Sequence, residues 1–168
     1  DWGEKLPSFP NHLILKSNVV FVHEDMTMTC DSAVFNTEEN LINAYNNIHI
    51  YQDTLHLYGD EFIYDADTKI AEIFGDTVTL YDNNTTLQTD YMVMDREAQT
   101  VRYTTHAYIW DEENTLESEL GTYLIDTKIF EFTKEVKLNS PQVNILSDSL
   151  FYESKTDIAR FYNKTDIT

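Results

Sequence analysis

Short stretches in which apolar and polar residues alternate fill most of the chain. Ile48–Tyr51, Leu55–Tyr58, Glu61–Tyr64 and Lys69–Phe74 each alternate, and Gln52-Asp53, Gly59-Asp60, Asp65–Thr68 and Gly75-Asp76 interrupt them. Tyr, Val, Ile, Thr and Phe occupy the alternating stretches while Asp and Asn occupy the interruptions, as strands and turns require. No segment keeps a helical period over three turns. The pattern predicts an all-β chain of short strands.

The pattern also repeats. Aspartates stand at Asp31, Asp60, Asp90 and Asp148, with gaps of 29, 30 and 58 residues. The missing copy falls near position 119, in Leu116-Glu117-Ser118-Glu119-Leu120-Gly121, and that copy is expected to carry about two extra residues. Three residues before the aspartate stand Met28, Leu57, Leu87 and Ile145; immediately before it stand the small residues Cys30, Gly59, Thr89 and Ser147. Phe35, Tyr64, Met94 and Tyr152 follow it by four. An apolar pair then opens the next copy: Ile48/Ile50, Val78/Leu80, Tyr108/Trp110 and Val136/Leu138, with Val20/Val22 and Ile167 as its first and last instances. Together these columns define five tandem units of about 29 residues over positions 19–168, behind a lead segment of residues 1–18.

Apolar positions change parity across each small-Asp pair, which a regular strand cannot do. A bulge or corner there re-aims the side chains, and a small residue suits the tight spot. Asp31, Asp60, Asp90 and Asp148 are therefore expected to be structural, accepting backbone N–H groups at the corner. One such unit cannot bury its apolar face alone, so the copies must stack, enclosing an apolar interior between two sheet walls. The walls end in open strand edges, free to pair with another copy or another protein.

Composition narrows the function classes. With 168 residues, 42% of them hydrophobic, the chain is long and apolar enough for a real core. The formal charge of −19, from 30 acids against 11 bases, repels phosphate backbones and anionic lipid surfaces, so nucleic acid is not an expected partner. The start, Asp1-Trp2-Gly3-Glu4-Lys5, has no basic or apolar leader character; either the protein is cytosolic or a targeting segment has been removed. Cys30, the single cysteine, has an acidic neighbour that raises a thiol pKa, and reads as a small core residue. His12, His23, His49, His56 and His106 share no repeat column and no metal-ligand spacing, so no metal site is expected. Asp65-x-Asp67 lacks the glycine and distal glutamate of a calcium loop and reads as a surface turn. Phosphate loops and nucleophile elbows are absent from the sequence. Neither catalysis nor a cofactor is expected.

The inward columns name the residues that would line the interior: Val22, Met28, Ile48, Ile50, Leu57, Val78, Leu80, Leu87, Trp110, Val136, Leu138 and Ile145. Such an interior is either a packed core or a lipid-sized groove, and composition alone favours the core.

The repeated phrase resembles the LptA/OstA-like family of periplasmic lipopolysaccharide-transport proteins. The resemblance lies in Asn47–Leu55 with Tyr58-Gly59-Asp60, in Asp76–Leu80 with Leu87-Gln88-Thr89-Asp90, and in Glu135–Leu138 with Leu146–Leu150. It covers residues 19–168. It implies a twisted, antiparallel, solenoid-like β-jellyroll with open edge strands, and an apolar groove for the acyl chains of lipopolysaccharide or a related lipid. It further implies head-to-tail self-association, or pairing with other transport-bridge proteins, through the edges. The implied location is the periplasm beside the outer membrane, the targeting segment having been removed. On this reading the acidic exterior leaves the lipid's phosphates to solvent or bridging cations. The competing reading is a structural or protein-interaction domain of an outer-membrane assembly component with a dry core.

Overall fold

The computed structural model describes residues 2–5, 11–23, 25–153, 155–156 and 158–168; residues 1 and 6–10 of the expected lead segment lie outside them. Among the described residues the secondary structure is β throughout, with no helix. The strands are β1 (Trp2–Lys5), β2 (His12–His23), β3 (Met26–Asn36), β4 (Leu41–Gln52), β5 (Leu55–Asp65), β6 (Ile70–Asp82) and β7 (Thr85–Asp95). They continue with β8 (Thr100–Tyr103), β9 (Ala107–Trp110), β10 (Thr115–Ser118), β11 (Leu120–Leu124), β12 (Ile129–Asn139), β13 (Asn144–Glu153) and β14 (Ile158–Ile167).

All fourteen belong to one antiparallel sheet. β8 and β9 are two halves of one line broken at Thr104–His106, since β7 pairs with both. β10 and β11, broken at Glu119, both pair with β12 in the same way. Through these breaks each line pairs with its neighbour in sequence, which makes the sheet a plain meander. The repeat unit is one hairpin, and the first strands of the five copies are β3, β5, β7, the β10–β11 line and β13. The expected lead segment contains β1 and the first half of β2, both paired within the same sheet.

A line of bulges folds the meander in two. Pairing slips between Tyr58 and Glu61, between Phe74 and Val78, and between Thr133 and Val136, always beside the aspartate column. On the first strand of four of the five hairpins the buried positions advance by three at this line: Cys30 to Ala33, Thr89 to Met92, Ser118 to Gly121 and Ser147 to Leu150. A three-residue step in a two-residue period exchanges the faces. Residues before and after the kink thus point into the same interior from opposite leaves. The result is a twisted β-jellyroll with one continuous core between the leaves.

The fourth copy needs correction. It has no two-residue insertion: Glu119 occupies the aspartate column, 29 residues from both Asp90 and Asp148. Its turn keeps register too, because Leu124 pairs with Ile129 as Asp65 pairs with Ile70. Lys128 and Lys69 then share the same left-handed backbone, with φ of 59° at each. Asp126 therefore corresponds to Asp67. Gly121 in this copy is required by a neighbour: a Cβ there would stand 2.3 Å from the ring of Tyr103, its cross-strand partner.

Candidate apolar groove

Cross-strand register builds the interior as rows. Phe21, Met28, Ile50, Leu57, Leu80, Leu87, Ile109, Leu116, Leu138, Ile145 and Ile167 follow one another from β2 to β14. Most of this row is buried; Phe21 and Leu138 pack against it half-buried, and Ile167 on the edge strand is exposed. A second row holds Val19, Ile48, Val78, Ala107 and Val136, all buried. Ten of the twelve sequence-named residues thus face inward. Val22 and Trp110 do not. Val22 is 70% exposed and Phe21 takes the inward place. Trp110 stands on the outer face beside Tyr108, their rings 5.3 Å apart, and Ile109 faces Leu87. Val22 lies 28 residues before Ile50, one short of the period that Phe21 keeps; for Trp110 the reason is an extra residue. Only the copy holding β5 and β6 has 30 residues, with Thr77 extra at its kink, so adding 30 to Val78/Leu80 overshoots Ala107/Ile109 by one. In a strand that exchanges the faces.

The leaves do not pack evenly. Near the middle, Leu80 and Leu87 on one leaf meet Met92, Tyr103, Tyr123 and Phe130 on the other around a void of only 10 Å³. On either side the interior opens. An N-terminal cavity of 480 Å³ lies among Phe21, Met26, Met28, Phe35, Ile42, Phe62 and Tyr64. A C-terminal one of 220 Å³ lies among Ile109, Leu116, Phe130, Phe132, Leu138, Leu150 and Tyr152, with Trp110 at its border.

Where the interior is closed, a polar latch joins the free ends of the two leaves. Asp82 ends β6 on one leaf and is 7% exposed. Its Oδ2 accepts from Tyr123 Oη at 2.6 Å and from Lys128 Nζ at 2.8 Å, both on the other leaf. Its Oδ1 accepts from Thr54 Oγ1 at 2.5 Å and Asn83 Nδ2 at 3.0 Å. Burial pushes the Asp82 carboxyl up; the donors Lys128, Thr54 and Tyr123 outweigh it, leaving the group below its ordinary value. Burial and the Asp82 acceptor both push the Tyr123 hydroxyl up, keeping it a donor. No motif announced this network in the sequence.

A hairpin meander folded along a line of bulges is a fold with known relatives. The family described as OstA-like protein matches residues 5–148. The chain belongs to the OstA-like family. Among solved structures it is similar to LptH of Pseudomonas aeruginosa, with a TM-score of 0.60 and 13% identity. That likeness covers 68% of this chain and 93% of LptH, and it shows the shared fold. LptH is described as the LptA homologous periplasmic component of the conserved lipopolysaccharide transport device. No curated protein matches the chain.

In this OstA-like chain the aspartate column sits on the outside of the fold line. Asp60 Oδ2 accepts from Asp76 N at 3.1 Å and Asp148 Oδ2 from Lys164 N at 3.3 Å. Asp31 takes Asn47 Nδ2 at 2.8 Å, and Asp90 takes Thr105 Oγ1. Each partner lies in the bulge of the strand opposite. The small residues before them point inward, where Thr89 and Ser147 hydroxyls donate to His106 O and Ser149 O, both at 3.0 Å. Burial, then Asp31, pushes the Cys30 thiol up. At the turns, Asp65 and Asp95 accept N–H groups of their own loops, from Asp67 and Thr68 and from Glu97 and Ala98. Among the described residues no group of three or more His, Cys, Asp or Glu is placed to hold a metal ion.

Proposed function

We propose that this OstA-like chain is a non-catalytic carrier of lipopolysaccharide in the periplasm, sheltering the lipid's acyl chains between its leaves on the way to the outer membrane. One observation carries the reading: the apolar interior opens into two cavities instead of packing through. The N-terminal cavity, at 480 Å³, falls within the ~300–1,000 Å³ of small-molecule sites, and the C-terminal one, at 220 Å³, is smaller. Burying methylenes there favours binding by about 0.8 kcal/mol each. Family membership and the fold shared with LptH support the same direction. Among the described residues the outer edges of β1 and β14 are unpaired, which gives head-to-tail association, with itself or with other bridge proteins, its route. The aspartates at the fold line hold its angle and take no part in binding.

Photo-crosslinking residues placed at Phe62 and Leu138, inside the two cavities, should capture lipopolysaccharide in cells, while Thr79 and Lys137 on the outer face should not. Equal capture at outer and inner positions sinks the reading. The tightly packed centre favours a second reading, a scaffold with a dry core that works through its edges alone. It predicts no capture at any of the four positions.

A further inference from the structure

On the outer face of the leaf that holds Leu57, Leu80 and Leu87, one strip of sheet departs from the acidic composition. Thr27, Tyr51, His56, Tyr81, Thr86 and Trp110 lie side by side in register across β3, β4, β5, β6, β7 and β9. Beside them runs a second row of Thr29, His49, Tyr58, Thr79, Gln88 and Tyr108. Neither row holds a carboxylate, in a chain with 30 acids among 168 residues. Acids begin at the borders: Asp25 and Asp53 at hairpin tips, Asp31, Asp60 and Asp90 along the fold line, and Glu117 beyond Tyr108.

The strip is aromatic, exposed and held in shape. Tyr51, Tyr58, Tyr81 and Tyr108 are all among the exposed large side chains, and among the described residues no hydrogen bond engages their hydroxyls. The ring of His49 stacks on that of Tyr58, centroids 4.4 Å and planes 6° apart, and His49 Nε2 and His56 Nδ1 share a hydrogen bond at 3.0 Å. Against this stack lies a recess of 370 Å³, backed by Ile48 and Gly59 and rimmed by Asn47, Asp60 and Thr77. The Asn47 amide donates to Asp31 at 2.8 Å and Asp60 Oδ2 accepts the Asp76 N–H at 3.1 Å. Both planar groups are thereby fixed, each with a second oxygen left as an acceptor.

Charge and size select what such a strip can hold. A polyanion is repelled by the bordering acids, and a basic partner is drawn to those acids instead of to the neutral strip between them. Six strands ~4.8 Å apart make the strip about 24 Å long and about 10 Å wide. That is roughly 240 Å², against the ~800 Å² that each partner of a stable protein pair buries, so a second folded copy does not fit it. A narrow neutral row of ring walls, hydroxyls and planar polar groups suits a linear, uncharged sugar chain. The C–H faces of such a chain pack on rings while its hydroxyls bond to phenol, amide and carboxylate oxygens.

We propose that this strip binds a neutral glycan chain laid across the strands, with one sugar unit seated in the recess against His49 and Tyr58. The proposal goes beyond the carrier reading and does not depend on it, because strip and cavities lie on opposite faces of the leaf.

The test titrates the full chain with three uncharged hexasaccharides (cellohexaose, maltohexaose and chitohexaose in its N-acetylated form), with their disaccharides, and with hexalysine. Wild type is compared with Tyr58→Ala/Tyr81→Ala and with Tyr162→Ala, an exposed tyrosine on β14 away from the strip. Thermal melts confirm folding, and Tyr81→Ala alone serves where the double variant melts early. At least one hexasaccharide should bind wild type, at least tenfold more tightly than its disaccharide, and 0.5 M NaCl should change its Kd less than twofold. The strip variant should raise that Kd about tenfold and Tyr162→Ala less than twofold. Absence of binding by all three hexasaccharides, or equal losses in strip and edge variants, overturns the glycan strip. Hexalysine binding that the strip variant abolishes, with no saccharide bound, overturns it in favour of a basic protein partner. Lipid capture at Phe62 and Leu138 reads the carrier function separately in each case.

Discussion

At the scale of single residues, Asp82 is the side chain on which the jellyroll's closure depends. A carboxylate that is 7% exposed is tolerated because Lys128, Tyr123 and Thr54 all donate to it. Asp82→Ala removes the acceptor that Lys128, Tyr123 and Thr54 share and leaves the Tyr123 hydroxyl without it, and should cost about 2–3 kcal/mol in urea denaturation. Its pH dependence has a defined sign. The folded group lies below its ordinary value, so its stabilisation is present above the unfolded carboxyl's ~3.9. It is lost as pH falls through the folded value, because there the unfolded state binds more protons. Urea midpoints of wild type should fall below about pH 4 more steeply than those of Asp82→Asn, which lacks the titrating group. Parallel acid limbs would show that the latch contributes nothing.

At the scale of elements, the kinks set the architecture, and they are built from backbone conformations that most side chains avoid. Asn46 and Asn47 have φ of 61° and 51°, Ser17 and Asn18 68° and 53°, and Lys134 and Glu135 68° and 57°. Asparagine enters this region readily; a long side chain costs about 1–2 kcal/mol there. Lys134→Asn should therefore raise stability by about 0.5–1 kcal/mol, read from the urea midpoint at unchanged m-value. A loss would mean that the Lys134 stem supports the bend by packing. The hairpins, the repeat and the place of the kinks were legible in the sequence because each copy makes the same local contacts, so small-Asp columns recur at fixed spacing. The face at Trp110 was not, since the extra residue in the bulge between Phe74 and Val78 is harmless there yet shifts a column by one; Val22 stands 28 residues before Ile50, one short of the 29-residue period that Phe21 keeps. The latch was illegible for another reason: Asp82 and Lys128 are 46 residues apart, and only the roll of the whole sheet brings their turns together.

At the scale of the molecule, charge and closure oppose each other. A formal charge of −19 on a 168-residue body repels itself, and compaction raises that repulsion relative to the open chain. The surface ion pairs described are too exposed to offset it. Lys164 with Asp166 at 3.9 Å is well over half solvated and Lys137 with Glu117 at 3.7 Å is partly solvated, and such pairs contribute about 0–1 kcal/mol. Salt should therefore stabilise this protein. Raising NaCl from about 10 mM to about 0.5 M shortens the screening length from roughly 30 Å to a few ångströms, which removes repulsion between surface acids. The Asp82–Lys128 pair, with its carboxylate buried, is screened much less. The melting temperature of wild type should consequently rise with salt, and Asp82→Ala should rise in parallel from a lower start. Convergence of the two curves at high salt would mean that the latch acts as a surface pair. A melting temperature that falls with salt would mean that attractive pairs, not repulsion, dominate the exterior, and that the acidic composition is compensated in the folded arrangement.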